Sequence, residues 1–173
     1  ETVLEINLNH VESNFTSYKS LISKNTKMLA MIKAAGYGAG LVEIGKKLEF
    51  CNVDYLGVAY VDEGVELRKN GITKPILVMN PSTGSFNALI NHHLTPAIHD
   101  LSQLNSFTGK LIDLNVNAYP VHLKINSGMN RLGFSEAEID SLITFLKSQP
   151  EIKVEGIFSH LFASDNNQGK SQT

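Results

Sequence analysis

Lys33 stands where the apolar run "KMLAMIK" (27–33) meets the glycine-bearing stretch "AAGYGAG" (34–40). A lysine that closes an otherwise apolar strand is costly to bury unless it is paired, deprotonated or used covalently. Three readings suit the stretch: a phosphate cradle, a covalent cofactor anchor, or an ordinary turn with a solvated lysine. A dinucleotide loop needs G-x-G-x-x-G. Here Gly36, Gly38 and Gly40 alternate with other residues, so the third glycine falls one residue early. The G-K-[ST] ending of a P-loop is also missing. Two further stretches place polar groups at the ends of apolar runs. In "KINSGMNRLGF" (124–134), Lys124 and Arg131 flank a turn made by Asn126, Ser127 and Gly128. In "EGIFSHLFASD" (155–165), His160 follows a strand-like run. Alone, the first reads more readily as a local loop and the second as a structural histidine. Together they put three polar groups at strand C-terminal ends, where α/β folds gather catalytic groups.

The remaining candidates are weaker. His92 and His93 are neighbours, and with His10, His99 and His122 they show no metal-ligand spacing. Asp62 and Glu63 read as favourable charge at a helix N-terminus, with Asp62 as its cap.

The elements that must position these groups alternate along the chain. Strand-like runs are expected at 27–33, 54–60, 74–80, 95–100, 118–126 and 152–162, and helices at 40–50, 62–71, 84–93, 101–110 and 135–150. Ser135 and Glu138 have the spacing of a capping box. "TVLEINL" (2–8) also reads as a strand, followed by an amphipathic helix with Val11, Phe15, Tyr18 and Leu21 on one face. Near-continuous apolar strands alternating with helices imply an α/β fold with a parallel sheet. Either a doubly wound sheet or an incomplete TIM (β/α)8 barrel of about six parallel strands would suit, since a whole barrel typically needs about 250 residues.

Composition bounds the function. The chain has 173 residues, 42% hydrophobic and 18% charged, with a net charge of −2. The lack of a basic cluster argues against nucleic acid as a partner. No apolar run approaches the roughly 18 residues that span a bilayer, and no signal peptide is evident. One cysteine, Cys51, excludes an internal disulfide and a Cys-rich zinc site. These features lead to the expectation of a cytoplasmic protein with no membrane partner.

The three stretches together resemble the N-terminal barrel of the alanine racemases, enzymes that use pyridoxal 5'-phosphate (PLP) to supply D-alanine for peptidoglycan. "MIKAAGYGAG" is similar to the family's lysine motif, "KINSGMNRLG" to its second motif and "GIFSHLF" to its third, in the same order. Ala35 departs from the usual Asn or Asp, and Ala39 from a common His. The resemblance implies that Lys33 bonds covalently to PLP and acts as one catalytic base. It implies that Tyr37 contacts the cofactor phosphate, and that Arg131 reaches the PLP phenolic oxygen and the substrate carboxylate. It further implies that Lys124 is a carbamylation candidate holding that arginine, and that His160 lies beside the cofactor in support of a second base. L- and D-alanine are the implied substrates, and a homodimer the implied assembly of the full-length protein. The opposite-face base in this family is a tyrosine of a C-terminal domain, and none of the five tyrosines here matches it. The resemblance therefore implies a fragment, inactive alone, akin to racemases fused to a cell-wall peptide ligase. The expected organisation is an N-terminal strand and helix at 1–26, a partial PLP-binding barrel at 27–165 and a disordered tail at 166–173. A non-catalytic PLP-homeostasis barrel is the alternative, matched less well by the second and third motifs.

Overall fold

The computed structural model describes residues 2–161. Two compact units divide the chain, Glu1–Thr95 and Pro96–Thr173. Six parallel strands follow chain order, β1 to β6, with helices between them.

The first unit opens with α1 (Leu8–Ser20), capped by the Asn7 side chain, which accepts from the Asn9 N–H at 2.9 Å. The strand expected over 2–8 does not form. Residues 2–7 carry no regular structure, and Val3 and Leu4 are exposed. Their alternation has no partner strand among the described residues, and a lone strand gains nothing from its pattern. Then come β1 (Leu29–Met31), α2 (Lys33–Tyr37), α3 (Leu41–Phe50), β2 (Tyr55–Val58), α4 (Val61–Lys69), β3 (Ile76–Val78) and α5 (Phe86–Asn91). β1 and β2 pair in parallel with Met31 opposite Gly57, and β2 and β3 with Val58 opposite Val78. The expected positions hold, but each strand is shorter than its apolar run. Leu56, Val58, Ile76 and Val78 are fully buried, as expected of strands covered on both faces. Arg68, in the last turn of α4, donates to the carbonyls of Ile72 and Lys74, each at 2.8 Å, and to that of His92 at 3.1 Å. It thereby ties the helix end to the approach to β3 and to the end of α5.

The second unit begins at Pro96, within β4 (Thr95–Ile98), and runs through α6 (Leu101–Asp113), β5 (Tyr119–Lys124) and α7 (Ile139–Lys147) to β6 (Ile152–Phe158). Asp100 caps α6, accepting from the Gln103 N–H at 2.7 Å. Ser135 and Glu138 form the expected capping box ahead of α7. β5 pairs with β4 and with β6, and its register against β6 shifts between Val121 and His122. Leu104, Phe107, Leu111, Val121 and Phe134 are buried to completion. Phe107 meets Tyr119 edge to face at 5.6 Å. Burial of each such side chain contributes about 1.5–3 kcal/mol. The expected 166–173 tail lies outside the described residues.

Candidate active site

In the first unit, β1 delivers Lys33. The Ile32 N–H donates to the Gly57 carbonyl at 2.8 Å, so the strand ladder continues one residue past β1, and the Ile32 side chain is buried. Lys33 follows, half-buried. The chain then turns left-handed for four residues: Ala34 (φ +54°), Ala35 (φ +54°), Gly36 (φ +64°) and Tyr37 (φ +56°). For L-residues this hand costs roughly 1–2 kcal/mol each, because Cβ crowds the following carbonyl. The turn is closed from within by Gly36 N–H donating to the Ile32 carbonyl at 2.9 Å and Gly40 N–H to that of Ala35 at 3.0 Å. Gly38, at φ +88°, ends it. Tyr37 is 66% exposed.

Glu63 closes the turn from outside. Its carboxylate accepts from Ala34 N–H at 2.6 Å, Ala59 N–H at 2.7 Å and Tyr60 N–H at 3.1 Å. Tyr60, not Asp62, is the N-cap residue of α4. Glu63, as the third helical residue, reaches back to the cap better than Asp62 can.

In the second unit, β5 ends at Lys124, only 7% exposed. The following loop closes on itself: Phe134 N–H donates to the Lys124 carbonyl and Asn126 N–H to the Phe134 carbonyl, both at 2.9 Å. Within it the Asn126 side chain accepts from Gly128 N–H at 3.1 Å and Asn130 N–H at 3.0 Å. Gly133 is obligatory. Its φ is +127°, and a Cβ there would lie 2.7 Å from the Asn126 nitrogen and 2.8 Å from the Ile125 carbonyl carbon. Arg131 is exposed on this loop.

His160 follows β6 by two residues and is exposed. Two serines bind its segment to the loop. Ser159 Oγ donates to the Ile125 carbonyl at 2.7 Å, Ser127 Oγ donates to the His160 carbonyl at 3.1 Å, and the two hydroxyls lie 2.5 Å apart. A small recess results, lined by Lys124, Asn126, Ser127, Met129, Ser159 and His160. The second unit thus brings Lys124 and His160 to one recess, with Arg131 beside it in sequence between the lining residues Met129 and Leu132. Lys33 and Tyr37 belong to the first unit.

Sequence reasoning missed the reach of Glu63, the serine tie and the left-handed turn. The signal for the last was present: an Asn or Asp is usual at position 35 in the family that the motifs resemble, and those residues enter the left-handed region most readily.

Residues 6–173 match the family model "Alanine racemase, N-terminal domain". The chain belongs to this family. It is 34% identical over 173 residues to "Alanine racemase 1" of Oceanobacillus iheyensis, covering 98% of this chain and 45% of that protein. It is 38% identical over 172 residues to an "Amino-acid racemase" of Enterococcus faecalis, covering 96% of this chain and 23% of that one. The alanine racemase of Clostridium difficile 630 superposes with a TM-score of 0.90 at 34% identity, over 99% of this chain and 47% of its own. This likeness shows the α/β fold of six parallel strands to be that of the alanine racemase N-terminal barrel. The chain spans less than half the length of these relatives.

Proposed function

We propose that the chain is the PLP-binding half of an alanine racemase that interconverts L- and D-alanine for peptidoglycan synthesis. The observation that carries this reading is Lys33, presented at the C-terminal end of β1 by a left-handed turn pinned from inside and outside, in a chain of this family. The donor set suits PLP: a primary amine for the aldehyde, a tyrosine hydroxyl for the phosphate, and an arginine for a phenolic oxygen or a carboxylate.

When bound, PLP withdraws electrons from the amino acid's Cα and makes its proton removable. Lys33 would hold the cofactor through Nζ, and the same nitrogen would take or return the Cα proton on one face. The Tyr37 hydroxyl would donate to the phosphate. The Arg131 guanidinium orients the substrate carboxylate. Lys124, carbamylated, turns a buried cation into an acceptor that holds Arg131 in place. His160 supports the base on the opposite face, which this reading assigns to a tyrosine of a partner subunit in a homodimer. A cytoplasmic setting belongs to the same reading, and the single cysteine supports it.

The test is racemisation by a protein extended to the length of the relatives. L-Alanine should yield D-alanine in the presence of PLP. Lys33→Ala should abolish the conversion, and Arg131→Ala should slow it by at least about tenfold, the loss of one charge-assisted contact. Conversion undiminished in Lys33→Ala would refute the reading. Serine assayed beside alanine defines the substrate range, since the Enterococcus faecalis relative is described more broadly as an amino-acid racemase.

A further inference from the structure

We propose that Glu63 is a positioning residue for Lys33, holding the lysine's turn in its left-handed form from outside. The inference rests on the reading of Lys33 as the cofactor lysine.

The turn needs an external hold. Ala34, Ala35 and Tyr37 are all non-glycine residues at positive φ, in an unbroken run with Gly36. Such a run persists only where its surroundings over-determine it. The turn's internal bonds start from the N–H groups of Gly36, Gly38, Ala39 and Gly40. The Ala34 N–H, which follows Lys33 directly, donates instead to Glu63 Oε1 at 2.6 Å. The other carboxylate oxygen, Oε2, accepts from Ala59 and Tyr60. Those residues join the end of β2 to the start of α4. One carboxylate therefore fixes the peptide after Lys33 to the neighbouring strand–helix junction.

The division of the two oxygens sets what a substitute can do. Gln offers one acceptor oxygen and a donor nitrogen. The oxygen serves the two N–H groups of Ala59 and Tyr60, and the nitrogen then opposes the Ala34 N–H. Asp keeps the charge at the N-terminus of α4, but its side chain is one methylene shorter and cannot span both sides. A residue that mattered only as helix-terminal charge would be replaced well by Asp. A clamp would not.

The experiment uses Glu63→Gln and Glu63→Asp in this chain, with two measurements. Amide hydrogen exchange at Ala34 reads the clamp without cofactor. The rate of borohydride-trapped PLP labelling at Lys33, mapped by mass spectrometry, reads its consequence. Both variants should exchange the Ala34 amide about tenfold faster or more, the scale of one charge-assisted hydrogen bond. Labelling at Lys33 should slow by a similar factor while the amides of β2 and β3 keep their protection. Unchanged Ala34 exchange in either variant overturns the proposal. So does faster exchange with labelling at the wild-type rate, or a loss of protection throughout the first unit. If the unsubstituted chain takes no label at Lys33, the cofactor reading fails, and Ala34 exchange alone then decides the clamp.

Discussion

At the scale of single residues, backbone hand decides what position 35 prefers. Ala35 sits at φ +54°, with no side-chain group to offset the left-handed cost. Asn enters that region readily, so Ala35→Asn should raise stability by about 1 kcal/mol, the lower end of the cost per left-handed residue. Urea unfolding of the two chains checks this. Gly133 tests the opposite sense. Its φ of +127° disfavours any side chain, and a Cβ would meet backbone atoms at 2.7 and 2.8 Å. Gly133→Ala should destabilise by more than about 1 kcal/mol and loosen the loop that carries Arg131. A melting curve reads the first effect, and proteolysis within 125–134 reads the second. Lys33, Lys124, Arg131 and His160 were legible as candidates because polar residues stood at the ends of apolar runs, whereas Tyr37 was a candidate only through the resemblance of its motif. Glu63 was legible only as a helix-terminal charge. Its bond to Ala34 crosses 29 residues of sequence, and spacing along one helix carries no trace of it.

At the scale of elements, the order of strands and helices followed from hydrophobic periodicity, since each buried strand is an apolar run and each helix has an apolar face. The hand of the turn after β1 and the state of the 2–7 segment did not follow. The alanines of "KAAGY" prefer the right-handed form, so the hand of the turn is signalled only by the Asn or Asp usual at position 35 in the family. The 2–7 segment alternates like a strand, yet only a neighbouring strand converts alternation into a ladder. Packing between elements also sets a pH response. Asp54, just before β2, accepts from the Met28 N–H at 2.8 Å and from Lys19 of α1 at 3.2 Å, joining α1 and the approach to β1. The Met28 bond first, and Lys19 after it, hold its carboxyl below the ordinary 3.8. A depressed folded value means that the unfolded chain takes the proton first. The stabilisation is therefore full above 3.8 and is lost as pH falls through the folded value. Asp54→Asn should be less stable than the unsubstituted chain at neutral pH. The gap should close as pH falls below 3.8, followed by denaturation at a series of acid pH values. A gap that stayed constant would contradict the assignment.

At the scale of the whole molecule, each of the two units carries candidate residues of its own. The first supplies Lys33 and Tyr37, and the second supplies Lys124, Arg131 and His160, every one of them at or after the C-terminal end of a parallel strand. That shared position is the general rule for catalytic groups of barrel enzymes, and it is what made these residues candidates in the sequence. The chain spans 45% of its Oceanobacillus iheyensis relative and 47% of the Clostridium difficile structure. The proposed reading asks only cofactor capture of these 173 residues, and its racemisation test uses a protein of the relatives' length. Cofactor capture is the central claim, and one measurement tests it most directly. The chain is mixed with PLP, reduced with borohydride, digested and mapped by mass spectrometry. The expected result is a phosphopyridoxyl group on Lys33 above all other lysines, and its loss from that peptide in Lys33→Ala. Labelling spread evenly over the surface lysines, with Lys33 no more modified than the rest, would contradict it.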